Sequence, residues 1–147
     1  MGECIVCGDI GERHHIVFKN QGGFDFPFNY IYLCPKHHRG KNGPHKNRKI
    51  DIEYKLNMQR KLLSLLGKDF YDLNELKSIL SINPKQAKSL VSKINKRKDG
   101  YSKEAVVKNL MGGKFYYSFM LDDNYNDSFN IIDEEILIYN EILKDKE

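Results

Sequence analysis

Every cysteine and every histidine of this 147-residue chain, three and five in number, lies between Cys4 and Asn47, in CIVCGDIGERHHIVFKNQGGFDFPFNYIYLCPKHHRGKNGPHKN. Eight such residues placed at random would be spread along the whole length, so this stretch holds metal, chemistry or both. Cys4 and Cys7 form a C-x2-C knuckle, and Cys34 with His37 repeats the spacing as C-x2-H, the pattern of one closed tetrahedral zinc site. That assignment leaves His14, His15, His38 and His45, enough imidazole for a second, open site. Two adjacent His-His doublets are hard to explain as ordinary polar surface.

Around these residues the pattern is one of short strands and a turn. Residues 13–19, RHHIVFK, and 28–34, FNYIYLC, are rich in β-branched and aromatic side chains. Between them NQGGFDFPF carries turn residues: Gly22-Gly23 supplies positive φ, and Pro27 argues against a strand through the loop. Phe24, Phe26 and Phe28 are expected to pack over the finger rather than stack on bases, because a unit of about 45 residues needs all its apolar side chains and a metal staple besides.

The text HHI at His14–Ile16, then Gly22-Gly23, then NYIYLCPKHH from Asn29 to His38, resembles the HNH, or His-Me finger, nucleases. The resemblance covers residues 4 to 47. It implies a ββα-metal finger in which His15 is the general base, His14 and His38 bind the catalytic divalent ion, and Asn29 fixes the loop and orients His15. By the same resemblance Cys4, Cys7, Cys34 and His37 hold a structural zinc. His37 stands where the second knuckle usually has Cys, which leaves open a swap with His38. The third catalytic ligand is either His45, preferred because imidazole suits a transition metal, or Asn42, one helical turn beyond His38.

The chemistry accounts for these residue types. Phosphodiester hydrolysis needs a water deprotonated in line with phosphorus, and neutral imidazole, with an ordinary pKa of about 6.5, can take that proton. An ion with few protein ligands, whether Mg, Mn, Ni or Zn, keeps positions open for phosphate oxygens. Neighbours on a regular strand face opposite ways, so a bulge or bend is expected near His14 and His15.

Beyond the finger, residues 50–66 read as a helix with Ile52, Leu56, Leu63 and Leu66 near one face and Lys55, Arg60 and Lys61 elsewhere. Leu73, Leu76, Ile79 and Leu80 give a second amphipathic helix, Ser81-Ile82-Asn83 a turn, and Pro84 the start of a third, capped by Asn83. In that helix Ala87, Leu90, Val91 and Ile94 form the buried stripe and leave Lys85, Lys88, Ser89, Lys93 and Lys96 outside. The pair resembles a helix-turn-helix whose second helix contacts DNA. Ser102 caps a further helix with Val106, Val107 and Leu110, closed by Gly112-Gly113, and KFYYSFM is expected to form a wing strand. The plainer use of such a unit is packing or formation of a homodimer.

Charge favours a polyanionic partner. Residues 1–120 hold 22 Lys and Arg against 11 Asp and Glu, whereas residues 121–147 hold 2 against 9. The acidic segment is expected to be partly helical from Ile132 to Leu143 and to dock on the chain, bind a partner or cover the basic surface. No charged-then-apolar leader opens the chain, no apolar run approaches about 18 residues, and an odd cysteine count suits a reducing compartment. A cytoplasmic location in a bacterial or phage-infected cell, with no membrane contact, is therefore expected.

The fold class expected is α+β: a zinc-stabilised ββα-metal finger at 1–49, a linking helix at 50–68, a small, mainly helical, helix-turn-helix-like domain at 69–120, and the acidic tail at 121–147. The expected function is metal-dependent hydrolysis of DNA phosphodiesters, resembling the small HNH endonucleases of phages and prophages, some tied to recombination. The alternatives are a zinc-organised nucleic-acid-binding module without catalysis, and an inhibitor or scaffold that binds protein.

Overall fold

Residues 1–125 are described by a computed structural model of the chain. Three strands form an antiparallel sheet in the order β1 (Gly2–Glu3), β2 (Ile10–His15), β3 (Tyr30–Leu33), followed directly by a short helix, α1 (Pro35–Arg39). Pro35 opens α1 at the position where its missing N–H has no helical partner to lose. An eighteen-residue helix, α2 (Arg48–Leu65), is started by Asn47, whose side chain accepts from the N–H groups of Lys49 and Ile50.

The rest is helical apart from one small strand pair. After β4 (Phe70–Tyr71) come α3 (Leu73–Leu80) and α4 (Pro84–Val91), then β5 (Tyr101–Ser102), which pairs antiparallel with β4, and α5 (Lys103–Leu110). Both α3 and α4 begin with reciprocal capping boxes, Asp72 with Glu75 and Asn83 with Gln86. The turn between them passes through Ser81 at φ 54°. Ser102 caps α5, which buries Val106, Val107 and Leu110 as expected.

One continuous apolar core runs through the molecule. Ile16, Val17 and Phe26 from the sheet end meet Leu56, Met58 and Leu62 of α2, Leu76 and Leu80 of α3, Leu90 of α4 and Val107 of α5. The helix expected to link two domains is thus the spine of this core. A second, small cluster holds only Cys4, Leu33 and Cys34, with Ile31 and Tyr54 against it. This mixed α+β architecture contains no helix, among the described residues, long and apolar enough to cross a membrane.

Several local expectations are corrected. The strands are shorter than 13–19 and 28–34: β2 stops at His15 because Val17 N–H and C=O are taken by the Asn29 side chain, at 2.7 and 3.0 Å, instead of by a strand. No bulge interrupts His14 and His15; the register runs Glu12↔Leu33, Arg13↔Tyr32, His14↔Ile31, His15↔Tyr30, and the chain leaves the sheet only after Ile16. Lys55, expected outside, is 1 % exposed on the α2 stripe. Helix α4 ends at Val91, so Ile94 contributes from the turn beyond it. KFYYSFM forms no wing strand; Gln59 of α2 donates to Tyr116 C=O and accepts from Tyr116 N–H, both at 2.8 Å, and residues 118–121 form a 3-10 turn. The acidic helix expected at 132–143 lies outside the described residues.

Candidate metal centres

The knuckle residues meet where the loop from β1 to β2 faces the start of α1. Cys34 caps α1 and His37 sits within it, so one turn of backbone presents a sulfur and an imidazole side by side. Cys7 Sγ lies 3.7 Å from Cys34 Sγ, while His37 Nδ1 lies 3.2 Å from Cys34 Sγ and 3.7 Å from Cys4 Sγ. A tetrahedral zinc with Zn–S of about 2.3 Å requires edges of about 3.8 Å between sulfurs and about 3.5 Å between sulfur and nitrogen. The four donors lie within 4.8 Å of one another. All three cysteines are free thiols, and this set can hold a metal ion such as zinc.

The electrostatics of the cluster also suit a cation. Desolvation pushes the Cys4 thiol up, but hydrogen bonds from the backbones of Cys34, Cys7 and Val6 outweigh it and bring it down to about 6. At Cys7 the Asp9 backbone pulls downward, yet desolvation and the adjacent Cys34 and Cys4 sulfurs push the thiol up to about 11. One sulfur is prepared to ionise and its neighbour is kept from doing so by crowded negative charge. A divalent ion removes that conflict.

Three other imidazoles converge beside a different face of α1. His14 comes from β2, His38 from α1 and His45 from the loop after it, and His38 Nε2 lies 3.2 Å from His14 Nδ1 and 2.9 Å from His45 Nε2. These separations approach the edge of about 3.3 Å expected when imidazole nitrogens share a metal at about 2.05 Å. The loop can bring His45 there because Gly43 passes against α1: a Cβ at Gly43 would sit 2.4 Å from His38 O. Adjacent residues of one helix therefore divide between the two sets, His37 with the cysteines and His38 with the histidines. His45, exposed like Asn42, completes a group with His14 and His38, their ligand atoms lying within 4.8 Å of one another.

The state of these rings follows from their surroundings. His38 Nδ1 is 2.7 Å from Glu12 Oε1; a carboxylate only accepts, so Nδ1 carries the proton and Nε2 is the atom turned toward His14 and His45. That hydrogen bond, with help from Arg39, holds the Glu12 carboxyl below its ordinary range. Burial first, then the charges of His38, His45 and Lys55, push His14 down to about 3, and His45 is lowered for the same first two reasons. Ring nitrogens brought together from the buried His14 and His38 and the exposed His45 form a donor set that fits a borderline metal ion. With Nδ1 of His14 turned to the centre, its Nε2 is buried without a partner among the described residues.

Aromatic and charged groups wall the set. Phe18 stacks on His45 with centroids 5.2 Å apart and meets His14 edge-on at 5.6 Å. Lys55 Nζ lies 4.7 Å from the Phe18 centroid and 2.8 Å from Asp51 Oδ2.

His15 alternates to the other face of β2 from His14 and is half-buried. Its Nε2 is 3.2 Å from Asp25 Oδ1, and Arg13, two residues earlier on the same face, reaches that oxygen at 3.7 Å. By the same acceptor-only argument His15 Nε2 donates, leaving Nδ1 as its basic atom. Asn29 is fully buried; it accepts from Val17 N–H and donates to Val17 C=O and Phe24 C=O, clamping the loop that carries Asp25. Gly23 is required in that clamp, because a Cβ there would lie 1.9 Å from Val17 O.

The basic side chains expected on α4 separate into two groups. Lys85, Ser89 and Lys93 line a 510 Å³ cleft against the loop from Lys19 to Asp25, and Gln86 Nε2 donates to Asp25 C=O across its floor at 2.7 Å. Lys88 is exposed outside that lining, and Lys96 lies over Tyr101 at 5.9 Å. Phe26 is buried in the core as expected, whereas Phe24 both packs against the core and faces the cleft.

Glu12, Asp25, Gln86 and the Asp51–Lys55 pair are absent from the sequence reading. Glu12 had a usable signal, since two residues before His14 on a strand is the same face. Asp25 had none, because a loop of that composition does not specify where its carboxylate points. No family model, no curated protein and no solved structure matches this chain.

Proposed function

We propose that the protein is a metal-dependent endonuclease of the HNH, or His-Me finger, type that hydrolyses phosphodiester bonds in DNA. The observation that carries this reading is the juxtaposition of a three-imidazole centre, His14, His38 and His45, with a separate imidazole, His15, on the next residue of the same strand. A purely structural zinc protein has no use for the second set. The sheet hairpin followed by α1 supports a ββα reading, and the cysteine cluster would hold its structural zinc.

In this reading His14, His38 and His45 would hold the catalytic ion. Such an ion, when bound, supplies charge for the scissile phosphate and the leaving oxygen. His15 accepts the proton of the attacking water on Nδ1, its other nitrogen being held by Asp25. Asn29 positions both by fixing the ends of the loop between them. Glu12 holds the His38 ring with its lone pair facing the centre.

The test is conversion of supercoiled plasmid to nicked or linear DNA by purified protein supplied in turn with Mn, Ni, Zn and Mg ions. Cleavage is expected, more readily with the transition metals than with Mg because imidazole is the softer ligand. His15→Ala is expected to abolish cleavage while the melting profile is kept. Absence of cleavage with every ion, or full activity in His15→Ala, overturns the proposal.

A further inference from the structure

The 510 Å³ cleft does not end at α4. Lys93 and Asn109 also line a second cleft, of 450 Å³, between the end of α4 and α5. The two share a wall and carry one sign of charge: Lys19, Lys85 and Lys93 along the first, Arg97 and Lys108 along the second. None of these five side chains forms an ion pair among the described residues. The single carboxylate in either lining is Asp25, and its oxygen is already engaged by His15 and Arg13.

We infer that these joined clefts are the track of one unpaired nucleic-acid strand, whose phosphates follow the lysine edge of α4 and whose chain leads to His15. The end of the track at His15 rests on the nuclease reading; the track itself rests on the charge and shape of the clefts. A run of cations with no acidic partners gains from replacing counterions on a phosphate chain. Phe24, half-buried in the wall, offers one base a stacking face, the combination of basic groove and aromatic platform that single strands require.

Size decides between a single strand and a duplex. Cavities of about 300–1,000 Å³ enclose ligands of drug size, so each cleft suits about one or two nucleotides. A duplex needs far more room, its major groove alone being about 12 Å wide. Here the walls are joined by the Gln86–Asp25 hydrogen bond, which turns this edge of α4 toward the finger and away from any duplex groove. Helix α4 is therefore the wall of a channel rather than a recognition helix. Its outward lysines, Lys88 and Lys96, take no part.

The experiment is fluorescence anisotropy of a labelled single-stranded DNA oligonucleotide and of the same sequence as a duplex, with the full chain carrying His15→Ala so that no cutting intervenes. Lys85→Glu with Lys93→Glu is compared with Lys88→Glu with Lys96→Glu. All four lysines are exposed, and a glutamate in the first turn of α4 suits the helix dipole, so melting curves should be retained. The groove pair is expected to weaken single-strand binding roughly ten-fold or more and to flatten its salt dependence by about 1.4 logarithmic units per decade, two phosphate contacts being lost. The outward pair should change affinity less than about two-fold, and the single strand should bind more tightly than the duplex.

Equal losses from both pairs, loss from the outward pair alone, tighter duplex binding, or no binding by either DNA overturns the track. Plasmid cleavage without groove-dependent binding leaves the nuclease reading standing and removes this one. Groove-dependent binding without cleavage does the reverse.

Discussion

Glu12 and His38 are joined by a 2.7 Å hydrogen bond from an imidazole nitrogen to a carboxylate oxygen, and the other nitrogen of the same ring faces His14 and His45. Glu12 lies on β2 and His38 on α1, so this contact ties the strand to the helix and fixes one tautomer of a central residue. Carboxylates in this position raise the basicity of a ligating ring and hold its orientation. Glu12→Gln retains an acceptor but not the charge. It is expected to lower affinity for Mn or Zn at this centre by about 10–100-fold, measured by chelator competition, with the fold intact. Unchanged affinity would remove Glu12 from the centre.

The two donor sets should load independently, and their loss should have different structural effects. Metal analysis of the native chain is expected to give two ions per molecule, and either Cys34→Ser or His45→Ala should remove one. Among the described residues the cysteine end has few apolar neighbours, Leu33 with Ile31 and Tyr54, the last two shared with the long core beneath α2 to α5, whose buried residues are all distinct from those of the cysteine cluster. Cys34→Ser is therefore expected to unfold residues around β1 and the knuckle, seen as lost amide protection there, while amides of α2 and α5 stay protected. His45→Ala should keep protection throughout. Global unfolding by Cys34→Ser would contradict this division of the core.

The proton affinity of His14 gives a pH signature. Its ring is pushed down to about 3 by burial and the cations around it, against about 6.5 in the unfolded chain. Between these values the unfolded state binds a proton that the folded state does not. The resulting stabilisation is present in full above about 6.5 and is lost as pH falls toward 3. The imidazole resonances of His14 should show no protonation between about pH 7 and pH 4.5, with proton uptake on unfolding in that range. Titration of His14 near pH 6.5 in the folded protein would refute the assignment.

Asn29 is a single side chain holding three backbone groups in a fully buried position. Asn29→Ala removes all three partners and gives nothing in exchange to Val17 N–H, Val17 C=O or Phe24 C=O. The cost is expected to be about 2–4 kcal/mol in urea unfolding. Because the loop it clamps carries Asp25, any DNA cleavage should fall by more than single-strand binding does. Equal losses of both would make Asn29 a stability residue alone.

What could be read in the sequence was what spacing and residue type encode by themselves. C-x2-C with C-x2-H, two His doublets, and the capping positions Asn83 and Ser102 are local patterns, and each corresponds to local geometry. The choice between His37 and His38 was not local: neighbours on a helix point about 100° apart, and only the packing of α1 against β2 decides which faces the cysteines. KFYYSFM has the composition of a strand, but Gln59, fifty-seven positions earlier, captures its backbone, so pairing that β-propensity anticipates never forms. Asp25 reaches His15 only because Asn29 closes the intervening loop, a relationship in three dimensions that composition does not contain.

Lys55 is the clearest departure from pattern, and it yields the last prediction. A lysine on a helix is ordinarily solvated, yet this one is 1 % exposed, ion-paired with Asp51 one turn earlier and placed near the Phe18 and Tyr116 rings, at 4.7 and 5.6 Å. Asp51 itself keeps one buried oxygen, Oδ1, without a donor among the described residues, so its charge is compensated mainly by Lys55. Lys55→Met fills the volume but strands that carboxylate, which should cost about 3–5 kcal/mol, whereas Lys55→Met with Asp51→Asn should recover most of the loss. The double-mutant cycle measured by urea unfolding is therefore expected to show strong coupling. Lys55 also bears on the metal centre, because its charge is one of those that keep His14 unprotonated. Additive effects of the two substitutions would mean that the aromatic rings, and not Asp51, hold this lysine inside.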